Sequence, residues 1–325
     1  MIIDIFNHCF PSKYLKEVAK TKRVEPALAY MQYEPEPAPE RADFWNPATR
    51  IKVMDKFGID IQVVNLAMAP FVLPPLEPLA LNKLANDGIV EEFVNKYPER
   101  FVGLATLTSL TGEALDELDR CIRDLGLKGV QIFTNVNGKP LDSPEFLPFY
   151  EKMAKYDLPI LIHPTSMNVV EDTNPWASKY GISLNWPYYS SNAMGMLVYG
   201  GVLQKYPNLK VVIHHLGGMI PFYGVRIWGW ARTRLTSLGY DPIDYFKMFY
   251  ADTATNGSVS AMKCGYDFFG PEHVVFATDY PYNVIGPPTY IGLSETVKSV
   301  KELAIPENEK QMIFEGNARR LLKMK

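Results

Sequence analysis

Four apolar runs in this chain end on side chains that can hold a metal ion. They are Ile2-Ile-Asp-Ile-Phe-Asn-His8, Pro159-Ile-Leu-Ile-His163, Lys210-Val-Val-Ile-His-His215 and Val274-Val-Phe-Ala-Thr-Asp279. The chain has five histidines, and only His273 falls outside this pattern. A lone buried histidine usually does no more than satisfy a neighbouring carbonyl. Imidazoles and a carboxylate at several strand ends are what parallel strands converging on one ion require. Such a donor set suits zinc or another divalent cation, which lowers the pKa of a coordinated water to about 7.

Strand alternation then sorts the side chains by face. Pro159, Leu161 and His163 share one face, as do Val275, Ala277 and Asp279, and Asp4, Phe6 and His8. Lys210, a cation at a strand start, should point away from the packed interior. On that count His215 is aimed at the site and His214, with Val212, packs behind it. Asp4, one step deeper than Phe6, is placed to orient a ligand from behind. Cys9 adjoins His8, but alternation turns it the other way.

The elements that would position these residues recur along the whole chain. Strands are expected over Ile2–Phe6, Ile61–Leu66, Phe101–Ala105, Gly129–Phe133, Pro159–His163, Leu209–His214, Phe249–Asp252 and Val274–Thr278. Several are uninterrupted apolar runs, as parallel strands covered on both faces should be. Helical spacing fills the intervals at Ala48–Phe57, Leu79–Lys96, Gly112–Leu125, Glu145–Tyr156, Ser191–Lys205 and Ser294–Leu303. Asn46-Pro47 supplies a cap and a first-turn proline for the first of these, and Gly58 stops it. Eight strands alternating with helices predict one α/β domain over 1–325, a (β/α)8 TIM-type barrel with long loops at its C-terminal face. An open doubly wound sheet is the runner-up, but no Gly-x-Gly-x-x-Gly turn follows a strand. The excursions 9–45 and 164–190 are the long loops. The second carries Trp176, Tyr180, Trp186, Tyr188 and Tyr189, either a wall for a planar substrate or a cap on the barrel mouth.

Composition narrows the function classes. With 325 residues, 47% hydrophobic, the chain can build a large core, and a formal charge of −3 gives no basic face for nucleic acid. No apolar run approaches the roughly 18 residues of a membrane span, and no signal peptide is evident. Cys9, Cys121 and Cys264, far apart and odd in number, read as free thiols in a reducing cytoplasm.

The ordered motifs give a more specific expectation. After the strand-end ligands come Trp45, Pro47, Arg50, Met54, Asp55 and Gly58; His163-Pro164; His215-Leu-Gly217-Gly218, then Pro221 and Arg226; Thr278-Asp279-Tyr280-Pro281; and Gly316-Asn317-Ala318 with Leu321-Leu322. In this order and spacing the chain resembles the amidohydrolase superfamily, in the branch of aminocarboxymuconate semialdehyde and resorcylate-type decarboxylases. The resemblance spans nearly the whole chain. It implies His8, His163 and Asp279 as metal ligands, with zinc first and manganese or magnesium as the other ions that fit. It implies His215 as the acid/base, with Asp279 sharing the proton work. It implies that Arg226 grips a substrate carboxylate in a neighbouring subunit, which requires a homodimer or higher homo-oligomer. Arg41 is a second carboxylate clamp, and Trp176 and Trp186 are candidate substrate contacts.

One position departs from the branch: Phe6 stands where its first histidine belongs, and phenylalanine cannot bind metal. The site keeps three ligands, takes a different ion, or has become metal-free. The expected activity is non-oxidative decarboxylation of an aromatic or unsaturated carboxylic acid. A hydrolase or hydratase on the same residues is the second expectation, and a metal-free binding barrel the third.

Overall fold

The computed structural model describes residues 1–20, 39–66, 77–165, 181–234, 239–282 and 291–324. Its strands are β1 (Ile3–Cys9), β2 (Ile61–Leu66), β3 (Phe101–Gly103), β4 (Ala105–Thr106), β5 (Val130–Phe133), β6 (Pro159–His163), β7 (Lys210–Ile213), β8 (Tyr250–Asp252) and β9 (Val274–Val275). All pair in parallel, in the orders β1-β2-β3 and β4 through β9. Backbone hydrogen bonds carry one set into the other. Leu104 N donates to Val64 O (3.0 Å) and Ala105 N to Gly129 O (3.0 Å), so β3 and β4 are one strand interrupted at Leu104. At the far side Ile5 N donates to Phe276 O (2.9 Å), Asp279 N to Phe6 O (3.2 Å) and His8 N to Tyr280 O (2.8 Å). The last strand thus runs beside the first well past Val275, and the eight strands form a ring.

The strand side chains divide between two cores. Phe6, Val63, Leu104, Leu161, Val212, Val275 and Ala277 fill the ring interior. Val64, Ile132, Ile160, Ile162, Val211 and Ile213 face outward, against the helices. Burial on both faces is why these strands read as continuous apolar runs. The helix Asn317–Leu322 adds Ala318, Leu321 and Leu322 to the interior core. Its Asn317 donates to the carbonyls of Pro271 and Val274, at the start of β9, so this helix seals the N-terminal end. The candidate ligands lie at the opposite end.

Local signals place the helix before β2 as expected. Asn46 Oδ1 accepts from Ala48 N (3.0 Å) and Thr49 N (3.3 Å), and the helix Pro47–Phe57 stops at Gly58 with φ 68°. The excursion 9–45 is not all loop. A helix at Ser12–Ala19 packs Tyr14, Leu15 and Val18 against Phe10, Phe44, Leu66 and Leu81. At eight residues it is too short for a clear periodic signal. Of the second excursion, residues 166–180 lie outside the described residues, and Trp176 and Tyr180 with them.

Candidate metal centre and active site

The structure brings His8, His163, His214, His215 and Asp279 together at the C-terminal end of the ring. One ligand atom each from His8, His163 and His214 lie within 4.8 Å of one another, and the same holds for His214, His215 and Asp279. Asp279 is the hub. Its Oδ1 is 3.0 Å from His8 Nε2 and 3.2 Å from His214 Nε2, and its Oδ2 is 3.9 Å from His215 Nε2.

In three of the rings the other nitrogen is anchored from behind, whereas His215 Nδ1 is buried without a partner. His8 Nδ1 pairs with Asn65 Oδ1 (2.9 Å), His163 Nδ1 with Pro164 O (2.7 Å), and His214 Nδ1 with Asp252 Oδ2. Anchoring of this kind fixes ring orientation and tautomer, leaving Nε2 free to bind. Although Asp279 is near, neither His8 Nε2 nor His214 Nε2 makes an aligned hydrogen bond, and both atoms are buried. Buried nitrogens without partners are costly in a finished core. They are expected where an ion completes the site, and these donors fit a divalent cation.

The electrostatics agree. Burial pushes the pKa of His8 down, partly offset by Asp279. Burial, with the neighbouring His8 and His214, holds His163 well below the usual imidazole range. Burial alone would raise the Asp279 carboxyl, but the histidines around it hold it well below the usual range. Burial also opposes a charge on His214, yet the Asp252 and Asp279 carboxylates push it up to about 10. Two carboxylates around one imidazole make a place that wants positive charge.

His214 corrects the strand-parity expectation. Val212 lies in the interior core and Val211 and Ile213 in the outer one, so His214 shares the inward face. Lys210 misled because it sits at the bottom rim, paired with Asp157 at 2.7 Å, where a cation says nothing about the faces. His215 also reaches the site, because the chain leaves the strand there. His215 (φ 58°), Leu216 (54°), Gly217 (75°) and Gly218 (61°) all adopt left-handed backbone. Asp252 Oδ1 holds this turn by accepting from His215 N (3.0 Å) and Leu216 N (3.5 Å).

The two glycines are required by contact as well as by φ. A Cβ on Gly218 would stand 2.2 Å from Pro187 O, and one on Gly217 2.8 Å from the Phe269 ring. Gly218→Ala is therefore expected to destabilise the protein by about 2 kcal/mol or more, read by chemical denaturation. Ser191 Oγ, which donates to Pro187 O (2.7 Å) and accepts from Met219 N (2.7 Å), ties the same turn to the helix Trp186–Tyr199. The Trp186 ring, at the start of that helix, lies 6.3 Å from the His163 ring. Phe133 (5.9 Å from His163) and Tyr282 (5.4 Å from His8) complete an aromatic rim.

Other expected residues are placed differently. Asp4 touches none of the ligands: it accepts from Thr278 N (2.9 Å) and Oγ1 (2.6 Å) and so anchors the residue before Asp279. Arg226 lies on the exposed side of the helix Ile220–Arg234, and no described residue forms an ion pair with it. Arg41 falls in the turn Pro39–Phe44, and its side chain is outside the described residues. Cys9, Cys121 and Cys264 are free thiols. Asn65 and Asp252 were missed as ligand supports, although each is a polar residue at or next to the end of a strand.

Comparison with known proteins decides the family. A family model described as Amidohydrolase matches residues 3–324. The chain belongs to the amidohydrolase family. This amidohydrolase is 34% identical over 283 residues to a 2-amino-3-carboxymuconate-6-semialdehyde decarboxylase of Dictyostelium discoideum, covering 84% of this chain and 76% of that one. The structure of 5-carboxyvanillate decarboxylase from Sphingomonas paucimobilis matches with a TM-score of 0.83 at 25% identity, over 100% of this amidohydrolase and 99% of that chain. A dihydroxybenzoic acid decarboxylase from Polaromonas sp. JS666, with bound manganese and the inhibitor 2-nitroresorcinol, matches at TM-score 0.76 and 24% identity, over 99% and 97%.

Proposed function

We propose that this protein is a metal-dependent carboxy-lyase that removes CO2, without oxidation, from an aromatic or unsaturated carboxylic acid. The observation that carries the reading is the placement of His215 and Asp279, at 3.9 Å, beside an imidazole cluster rimmed by Trp186, Phe133 and Tyr282. Decarboxylation breaks the bond between the substrate carbon and its carboxylate. The electron pair stays on that carbon, which must then take a proton. The His215–Asp279 pair can hold and deliver it, while the aromatic rim packs a planar substrate and excludes water. The kinship with decarboxylases of such acids supports this reading.

His8, His163 and Asp279 would hold the ion. Zinc is the first assignment, because imidazole-rich sets suit it; manganese, present in the Polaromonas enzyme, and magnesium are the alternates. When bound, the ion supplies a positive charge that stabilises negative charge on the substrate's oxygens. The free thiols and the lack, among the described residues, of a helix able to cross a membrane accord with a cytoplasmic enzyme.

The test is CO2 release from a panel of hydroxybenzoates and carboxymuconate-like acids by metal-replete protein. Loss of a carbon supports the lyase. A product that has gained water instead identifies a hydratase or hydrolase. Chelation is expected to abolish turnover, and the correct ion to restore it.

The working unit is proposed to be a homodimer formed through the helix Ile220–Arg234. That helix exposes Phe222 (76%), Val225 (84%) and Trp230 (58%) beside Arg226, an apolar display uncommon on a monomer. Arg226 then reaches the other subunit's substrate, its planar fork gripping the carboxylate. Mixing Arg226→Ala chains with Asp279→Asn chains should restore about a quarter of wild-type activity, because only mixed dimers carry one complete site. No recovery after subunit exchange would show that Arg226 does not act across subunits.

A further inference from the structure

Phe6 occupies the middle of the candidate metal centre without being able to bind an ion. Its ring stacks on His214, with centroids 4.0 Å apart and planes at 12°, and lies 5.5 Å from His8 and 6.1 Å from His163. The phenyl therefore clamps a histidine that comes from a different strand. One nitrogen of His214 lies within 4.8 Å of a nitrogen from each of His8 and His163, and its Nε2 is 3.2 Å from Asp279 Oδ1, buried without an aligned hydrogen bond. Its Nδ1 is committed to Asp252. Asp252 cannot turn away, since its other oxygen accepts the backbone N–H groups of His215, Leu216 and Ala254. An imidazole that merely filled the core would need neither a fixed carboxylate behind it nor a bare nitrogen aimed at three potential ligands.

We propose that His214 supplies the coordination lost at Phe6, so that the ion is held by His8, His163, His214 and Asp279, with Asp252 orienting His214 from behind. The coordination has moved from β1 to the end of β7, and the Phe6 ring has become the surface that fixes the new ligand. The proposal rests on the metal-dependent reading above. Its rival is a metal-free arrangement in which a proton on His214 bridges Asp252 and Asp279.

Cobalt and zinc affinities of the apoprotein, measured against a chromophoric chelator, separate the two, and the visible spectrum of the cobalt form reports coordination. Wild-type protein should bind one ion per chain. His214→Gln should weaken binding about a hundredfold and alter the cobalt spectrum, and Asp252→Asn should weaken it about ten- to a hundredfold. Phe6→His in the His214→Gln background should recover about tenfold or more of the loss by returning a ligand to β1. Unchanged affinity and spectrum in His214→Gln would overturn the proposal while leaving the lyase reading intact. Should His214→Gln fail to fold, unchanged affinity in Asp252→Asn does the same. A wild-type protein that takes up none of zinc, cobalt or manganese overturns both and leaves the proton-bridged triad.

Discussion

Asp279→Asn is expected to cut CO2 release by about a thousandfold or more while the protein stays folded. The substitution keeps the shape of the side chain and removes its charge. That charge faces His8 and His214 through one oxygen and His215 through the other. With an amide in its place the proposed ligand set loses its one carboxylate, and His215 loses the charge beside it. The change falls on bond-making rather than on packing, because Asp279 is partly exposed, its N–H donates to Phe6 O, and its neighbours are held by the Asn7–Tyr280 bridge and the Asp4–Thr278 bonds. Single-turnover assays with a thermal melt in parallel check this. An Asp279→Asn protein with near wild-type turnover would remove Asp279 from the chemistry.

The second large effect is on stability. Arg50 is fully buried, and its guanidinium joins four separate segments. Nε donates to Gln62 Oε1 (2.6 Å), Nη1 to His8 O (2.8 Å) and Asp43 O (2.9 Å), and Nη2 to Tyr280 O (3.2 Å). The group also lies over the Tyr280 ring, 4.6 Å from its centroid. Arg50→Met keeps the length of the stem but leaves three carbonyls and an amide oxygen in the interior without that donor. A loss of about 3–5 kcal/mol is expected, read by denaturant titration. Because two of those carbonyls belong to a proposed ligand and to the residue after Asp279, ion affinity should fall with stability. A variant as stable as wild type would show that water replaces the guanidinium.

The same two residues show what could be read before any coordinates. Asp279 was visible because it ends an apolar strand, and rigid strand ends are where a barrel must display its reactive groups. Arg50 was visible only as a member of a motif. Nothing in a linear pattern announces that a helix arginine will be swallowed by the carbonyls of distant segments. Strand parity anchored on Lys210 puts His214 on the wrong face, because Lys210 sits at the bottom rim beside Asp157 and its charge says nothing about the faces. Asp252 and Asn65 could have been found by asking which other strands end in polar groups. Phe133 and Tyr282 carry no such mark, since an aromatic at a strand end is ordinary core until the ring of strands places it beside His163 or His8. The short helix Ser12–Ala19 puts Tyr14, Leu15 and Val18 on one face, but eight residues are too few for that pattern to stand out in a sequence.

The pairing of β1 with the final strand has a kinetic consequence for biosynthesis. His8 leaves the ribosome first, and His163 and His214 follow long before Asp279 and Tyr280, whose backbone closes the ring against Phe6 and His8. A nascent polypeptide thus carries the nitrogen donors without the acid that gathers them. A cation that needs the whole donor set is therefore captured only after the C-terminal part of the chain has been made.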